Sequence, residues 1–161
     1  MSIIDALGSI HKHAIRTACS GEGGCIFGLN GFHKYIILKG EPLCKEPIEM
    51  CDYLVFVNET AEELLIAVIE FKTNNLHVDK VARQIENGSL KASSIINNCK
   101  EICLEEELDC LGKKKLCLIA VARRWDANTR KMLRSKKVIA DGRPHYIHAK
   151  ECGDLLKDVR I

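Results

Sequence analysis

One stretch constrains the fold more than any other. Leu64-Leu65-Ile66-Ala67-Val68-Ile69 is unbroken apolar sequence, closed by Glu70-Phe71-Lys72. It falls far short of the roughly 20 residues that a membrane helix needs. It also lacks the alternation of a half-exposed strand. Such a run reads as a strand covered on both faces, at the centre of a layered sheet. Cys51-Asp52-Tyr53-Leu54-Val55-Phe56-Val57 reads as a second strand, and the polar residues 58–63 as the turn between them. If Asp52 faces Glu70, paired positions sum to 122 and the turn centres on Ala61, inside that polar stretch. Directly opposed side chains share a sheet face, as do residues two apart on one strand. Asp52, Glu70 and Lys72 are then expected to project together, with Phe71 pointing to the opposite face and into the core.

That arrangement is costly without a purpose. Opposed carboxylates on adjacent strands repel, and an acid at the end of an apolar strand suffers desolvation. A divalent cation between them removes both objections. Mg²⁺ prefers oxygen ligands, takes one or two carboxylates from the protein and keeps several waters, one of which can become a nucleophile. The Lys72 ammonium can orient that water, help deprotonate it, or steady the charge on a phosphate.

The rest of the chain frames this hairpin. Ile3, Ile4, Leu7, Ile10, Ala14, Ile15 and Ala18 recur at helical spacing and predict a helix over 2–19. Ser20-Gly21-Glu22-Gly23-Gly24 follows; it lacks the Gly-Lys-Ser/Thr ending of a phosphate loop and reads as a turn. Strands are expected near 24–29 and 33–39, with Asn30-Gly31 as their hairpin turn. Residues 40–50 form a polar loop holding Pro42 and Pro47. Asn74 and Asn75 are placed to cap a helix over about 77–98, with Val78, Val81, Ala82, Ile85, Ala92 and Ile95 as its apolar stripe and Gly88 as a kink. An acidic connection (105–107 and 109), a strand at 116–121, a helix at 126–135, a strand at 146–149 and a last helix near 152–158 complete the order. The expectation is one α/β domain over 1–161, a central mixed sheet with helices on both faces, its core about 2–122 and an extension about 123–161.

Asp52, then Glu70-Phe71-Lys72 after a hairpin, then a helix carrying Gln84, resembles the PD-(D/E)XK nuclease superfamily of restriction endonucleases and Holliday-junction resolvases. Its shared core runs α-β-β-β-α-β, and the resemblance covers about residues 2–122. It implies a restriction-endonuclease-like fold that hydrolyses phosphodiester bonds with Mg²⁺ or Mn²⁺. By position, Asp52 and Glu70 would hold the metal, Lys72 would assist the attacking water, and Gln84 would lie near the metal and the scissile strand. The chain departs from the pattern in two places. Cys51 stands where many members have proline, and the first helix has no glutamate; either Asp5 or Glu22 substitutes or the role is absent.

Charge decides what kind of nucleic-acid contact is open. The net charge is only +2, which excludes wrapping by charge alone. Arg123, Arg124, Arg130, Lys131, Arg134, Lys136 and Lys137 nevertheless gather within fifteen residues, with Trp125 among them as a base-stacking candidate. Lys80, Arg83, Gln84, Asn87 and Lys91 line the polar side of the middle helix. DNA is favoured over RNA as partner. Cutting a duplex on both strands would call for a two-fold homodimer.

Nine cysteines, an odd number at irregular spacings, together with an opening segment 1–9 that carries Asp5 and no base, read as a reducing cytoplasm and mostly unpaired thiols. Disulfides would be the exception, as in a hyperthermophile. Cys99, Cys103, Cys110 and Cys117 lack the Cys-x-x-Cys spacing of zinc sites. His11 and His13 diverge on a helix, and His145 and His148 suit a structural role. Two functions compete with the nuclease: a non-catalytic nucleic-acid-binding or assembly subunit on the same fold, and a metal-free enzyme in which the E-x-K triplet is accidental.

Overall fold

The computed structural model describes residues 2–72, 77–103 and 110–160. Among them lie three α-helices and nine strands: α1 (Ile3–Ile10), α2 (Val78–Cys99), α3 (Ala127–Ser135), and β1 (Ile15–Arg16), β2 (Cys19–Ser20), β3 (Ile26–Phe27), β4 (Tyr35–Lys39), β5 (Tyr53–Thr60), β6 (Glu63–Lys72), β7 (Lys114–Ala122), β8 (Lys137–Ala140) and β9 (Arg143–Glu151). The main sheet runs β1-β4-β5-β6-β7-β9-β8, and β2 pairs with β3 in a separate ribbon. β6 sits in the middle, as its double-sided apolar pattern demands: Leu64 to Ile69 are all buried. It pairs antiparallel with β5 and parallel with β7, so the sheet is mixed. The order α1-β4-β5-β6-α2-β7 is the α-β-β-β-α-β succession expected from the sequence.

The hairpin register is also as expected. Tyr53 pairs with Ile69 and Val57 with Leu65, each summing to 122, before a bulge shifts the register toward Thr60–Glu63. Alternation then fixes the two faces. Leu54, Phe56, Ile66 and Val68 face α1 and α2; Tyr53, Val55, Ala67 and Ile69 face the other way.

Several expectations are corrected. The first helix ends at Ile10 rather than 19, passing into a 3₁₀ turn at Lys12–Ala14 and the short β1. Ala14, Ile15 and Ala18, which continue the helical period, lie beyond this end, and Ile15 is exposed. Asn30-Gly31 does not close a hairpin: β3 pairs back to β2, whereas β4 joins β1 and β5. All three helices contribute to one core, on one face of the sheet. The opposite face is covered not by a helix but by the β2–β3 ribbon and the C-terminal 3₁₀ turn Leu156–Asp158, through Cys19, Phe27, Leu29 and Leu156. β8 has no counterpart among the expected elements, and β9 is far longer than four residues; both join the main sheet.

Gly88 does not kink α2, which is continuous over 22 residues. It lets the helix press on the sheet: a Cβ there would lie 2.6 Å from Val68 Cγ1 and against Cys51 Sγ. Asn74, Asn75 and the acidic connection 105–109 lie outside the described residues; the N-cap position of α2 is His77. Cys25 and Cys152 form a disulfide across 127 residues of sequence, the exception to the expected thiols. No helix among the described residues is long and apolar enough to cross a membrane.

Candidate active site

The site arises because β6 outruns β5. Their ladder stops at Tyr53–Ile69, yet β6 continues along β7 to the pair Lys72–Ala122. Glu70, Phe71 and Lys72 are therefore held by backbone pairing on one edge and open on the other. Side chains take over where the ladder stops. The Asp52 amide donates to Glu70 Oε2 at 3.0 Å, and the Phe71 amide donates to Asp52 Oδ2 at 2.8 Å. Each carboxylate thus spends one oxygen on the neighbouring strand's backbone, which fixes its orientation.

The second oxygen of each carboxylate meets a lysine. Lys72 Nζ lies 2.8 Å from Glu70 Oε1, and Lys39 Nζ lies 3.5 Å from Asp52 Oδ1. The site is a tetrad of two acids and two lysines. Its members are unequally buried: the Glu70 side chain is 3% exposed and that of Asp52 32%. Burial, and then the Asp52 charge, push the Glu70 carboxyl up to about 7, although Lys72 pulls against both.

The tetrad floors an open cleft of about 550 Å³. Ser20, Gly21 and Glu22 of the glycine turn form one wall, and His77 and Lys80 of α2 another. The turn is firmly fastened. The Tyr53 hydroxyl donates to Ser20 O at 2.8 Å, and the Gly21 amide donates to Cys25 O at 2.8 Å. Arg123 donates to Gly23 O, and the Cys25–Cys152 bridge ties the end of the turn to the segment after β9. Gly21 is needed because a Cβ would lie 2.7 Å from the Phe71 ring.

The expected residues fare differently. Asp52, Glu70 and Lys72 come together, and Phe71 turns to the other core, its ring edge-on to Tyr53 at 5.9 Å, though only half-buried. Gln84 lies on the α2 face between Lys80, in the cleft wall, and Gly88, against Cys51. Its Oε1 is buried and has no hydrogen-bond partner among the described residues. Asp5 is spent in the capping box of α1, whereas Glu22 does reach the cleft. Lys39 is the site residue that the sequence reading misses. The β4–β5 register sums to 92 and sets Lys39 opposite Tyr53, next to Asp52. The hairpin arithmetic that yields Glu70 would find it too, but the connection at 40–52 is too long for a turn to fix the register.

The basic residues divide. Arg123 holds the glycine turn, Arg130 pairs with Glu151 at 3.0 Å and Lys136 with Asp79. Trp125 is not a free stacking platform: its indole donates to Lys150 O at 2.7 Å and packs on the core. On α2, Arg83 and Asn87 bind Glu49 at 3.0 and 2.6 Å, fastening the loop before β5. Arg124, Lys131, Arg134 and Lys137 are exposed and have no ion-pair partner among the described residues. Arg124 lies just beyond Ala122, the register partner of Lys72.

Among the described residues no group of three or more His, Cys, Asp or Glu is placed to hold a metal. The Asp52–Glu70 pair supplies two carboxylates, the number Mg²⁺ commonly takes from a protein while keeping waters for its other positions. With both orientations fixed by backbone amides and every donor a hard oxygen, the pair fits such an ion. Burial pushes the Cys19 and Cys117 thiols up to about 12, Cys99 to about 11 and Cys51 well above the ordinary range, which makes these four poor nucleophiles. Comparison with known proteins gave no match to a family model, to a curated protein or to a solved structure.

Proposed function

We propose that the chain is a divalent-metal-dependent nuclease of the PD-(D/E)XK type, hydrolysing phosphodiester bonds in DNA. The observation that carries this reading is the Asp52–Glu70 pair, two carboxylates clasped to each other's strands at the floor of an open cleft, one of them buried and raised to about 7. Strongly perturbed acids in clefts mark functional sites. Asp52 and Glu70 would hold Mg²⁺ or Mn²⁺, which supplies charge stabilisation to the phosphoryl group and acidifies a water. The backbone amides of Asp52 and Phe71 keep both carboxylates aimed. Lys72, held by Glu70 at 2.8 Å, presents an ammonium to the water or the phosphate. Lys80 on the cleft wall, with exposed Arg124 beside the strand end, offers positive charge to the polyanion.

One observation favours a second reading, a binding subunit on the same fold. Lys39 and Lys72 already neutralise the two acids, so the like-charge pair persists without a cation. A cleavage panel of circular, linear, branched and single-stranded DNA with MgCl₂ or MnCl₂ separates the two. The nuclease reading expects metal-dependent products that Glu70→Ala loses. Binding without products across the panel would transfer the assignment to the second reading.

A further inference from the structure

The two lysines of the tetrad are not equivalent. Lys72 makes a short ion pair with the buried Glu70 and shares its strand. Lys39 reaches across from β4 to Asp52, the more exposed of the two acids, at the longer distance of 3.5 Å. Its ammonium also stands 4.5 Å from the centre of the Tyr53 ring, a second place for a cation to rest. The backbone beneath it is fixed, since the Gly40 amide donates to Asp52 O at 2.8 Å and Lys39 pairs with Tyr53. The side chain, which lines the cleft, is the part that can change partner.

Asp52 Oδ1 is the one oxygen of that carboxylate not committed to a backbone amide. A divalent ion bound between Asp52 and Glu70 needs it, and a +1 charge 3.5 Å away opposes that ion. Building on the metal-dependent reading, on which it rests, we propose that Lys39 is a placeholder cation. It occupies Asp52 Oδ1 in the metal-free protein, leaves when a divalent ion takes that oxygen, and then contacts a phosphate of the bound strand. The acid pair is kept neutral before loading, and the released ammonium becomes a substrate contact only in the loaded state.

The test uses the whole chain as wild type, Lys39→Met and Lys39→Arg. Met keeps the aliphatic packing without the charge, and Arg restores it. Calorimetric titration with MnCl₂ should show binding about three- to fivefold tighter in Lys39→Met, the scale of a partly exposed ion pair that no longer has to be broken. Lys39→Arg should return toward wild type. Binding of a labelled duplex is then followed against salt, in EDTA and in CaCl₂. In EDTA the slopes of log affinity against log salt should agree between wild type and Lys39→Met. In CaCl₂ the wild-type slope should be steeper by about one phosphate contact. Equal or weaker Mn²⁺ binding in Lys39→Met overturns the placeholder, and identical slopes in CaCl₂ overturn the phosphate contact; either leaves the nuclease reading standing. A wild-type chain that binds no Mn²⁺ overturns that reading and the placeholder with it. If Lys39→Met does not fold, Lys39→Gln carries the same comparison.

Discussion

Glu70→Gln turns the geometry of the acid pair into a measurable energy. A glutamine side chain copies the shape and neutrality of a protonated Glu70. In the folded chain the Glu70 carboxyl titrates at about 7, against an ordinary value of 4.5. Burial is the larger cause and Asp52 the second. The folded state therefore binds this proton more tightly than the unfolded state does. The stability contributed by protonated Glu70 is fully present below about pH 4.5 and is lost as pH rises through 7. A shift of that size corresponds to roughly 3 kcal/mol. Glu70 is almost fully buried, so solvent screening removes little of it. The amide introduced by Glu70→Gln does not titrate and escapes the loss.

The assay is urea unfolding of both proteins from pH 4.5 to 8.5 in EDTA. His11 and His148 are pushed down by burial, but they are common to both proteins and cancel in the difference. The Glu70→Gln variant should gain on wild type as pH rises, reaching roughly 3 kcal/mol near pH 8, or about 6–12 °C in melting temperature for a chain of this size. MgCl₂ at pH 8 should then raise the melting temperature of wild type alone. A difference that stays flat with pH, or in which wild type gains, would show that Glu70 sits in no desolvated pair, and the physical basis of the site would be lost.

Other substitutions report on separate parts of the molecule. Lys72→Ala should retain Mn²⁺ and DNA binding while slowing single-turnover cleavage by roughly 10²–10⁴-fold, because its help is confined to the chemical step; unchanged turnover would remove Lys72 from the mechanism. Gly88→Ala should cost about 1–3 kcal/mol in chemical denaturation, since the new methyl would overpack against Val68 and Cys51. Phe71→Ala should cost about 2 kcal/mol, below the range for a fully buried ring, because Phe71 is half-exposed at the cleft. Paired Cys25→Ser and Cys152→Ser changes should lower stability by about 2–5 kcal/mol under oxidising conditions and leave no disulfide-dependent difference under reducing ones.

The centre of the fold is legible in the sequence because it is local. Residues 64–69 are apolar on both faces, the polar stretch 58–63 holds the tight turn at 61–62, and these two facts set the β5–β6 register that brings Asp52 to Glu70. The α2 stripe and β7 follow from periodicity in the same way. Legibility fails where pairing is long-range or the element is short. Two-residue strands such as β1 and β3 carry no period. The helical spacing of 14–18 is equally satisfied by a chain that turns and pairs with β4. The Cys25–Cys152 bridge joins residues whose approach depends on the whole sheet being assembled, so no spacing announces it.

The same division runs through the site and explains why its chemistry is half visible. Acids on the adjacent strands of one hairpin come out of arithmetic. The cations that answer them do not, because Lys39 arrives from β4 across the connection 40–52 and the cleft wall arrives from a turn braced by Tyr53 and Arg123. In sequence alone the Asp52–Glu70 contact looks unbalanced, and so a metal looks necessary. With Lys39 in place the charges balance, and charge no longer demands a metal. Each carboxylate is fixed through one oxygen to a backbone amide, and its second oxygen is paired to a lysine that lines the cleft. A buried ion pair is a weak stabilising device, because the cost of desolvating it often matches or exceeds its Coulombic gain. This one is built at the end of a strand, where β5 has stopped and β6 has not.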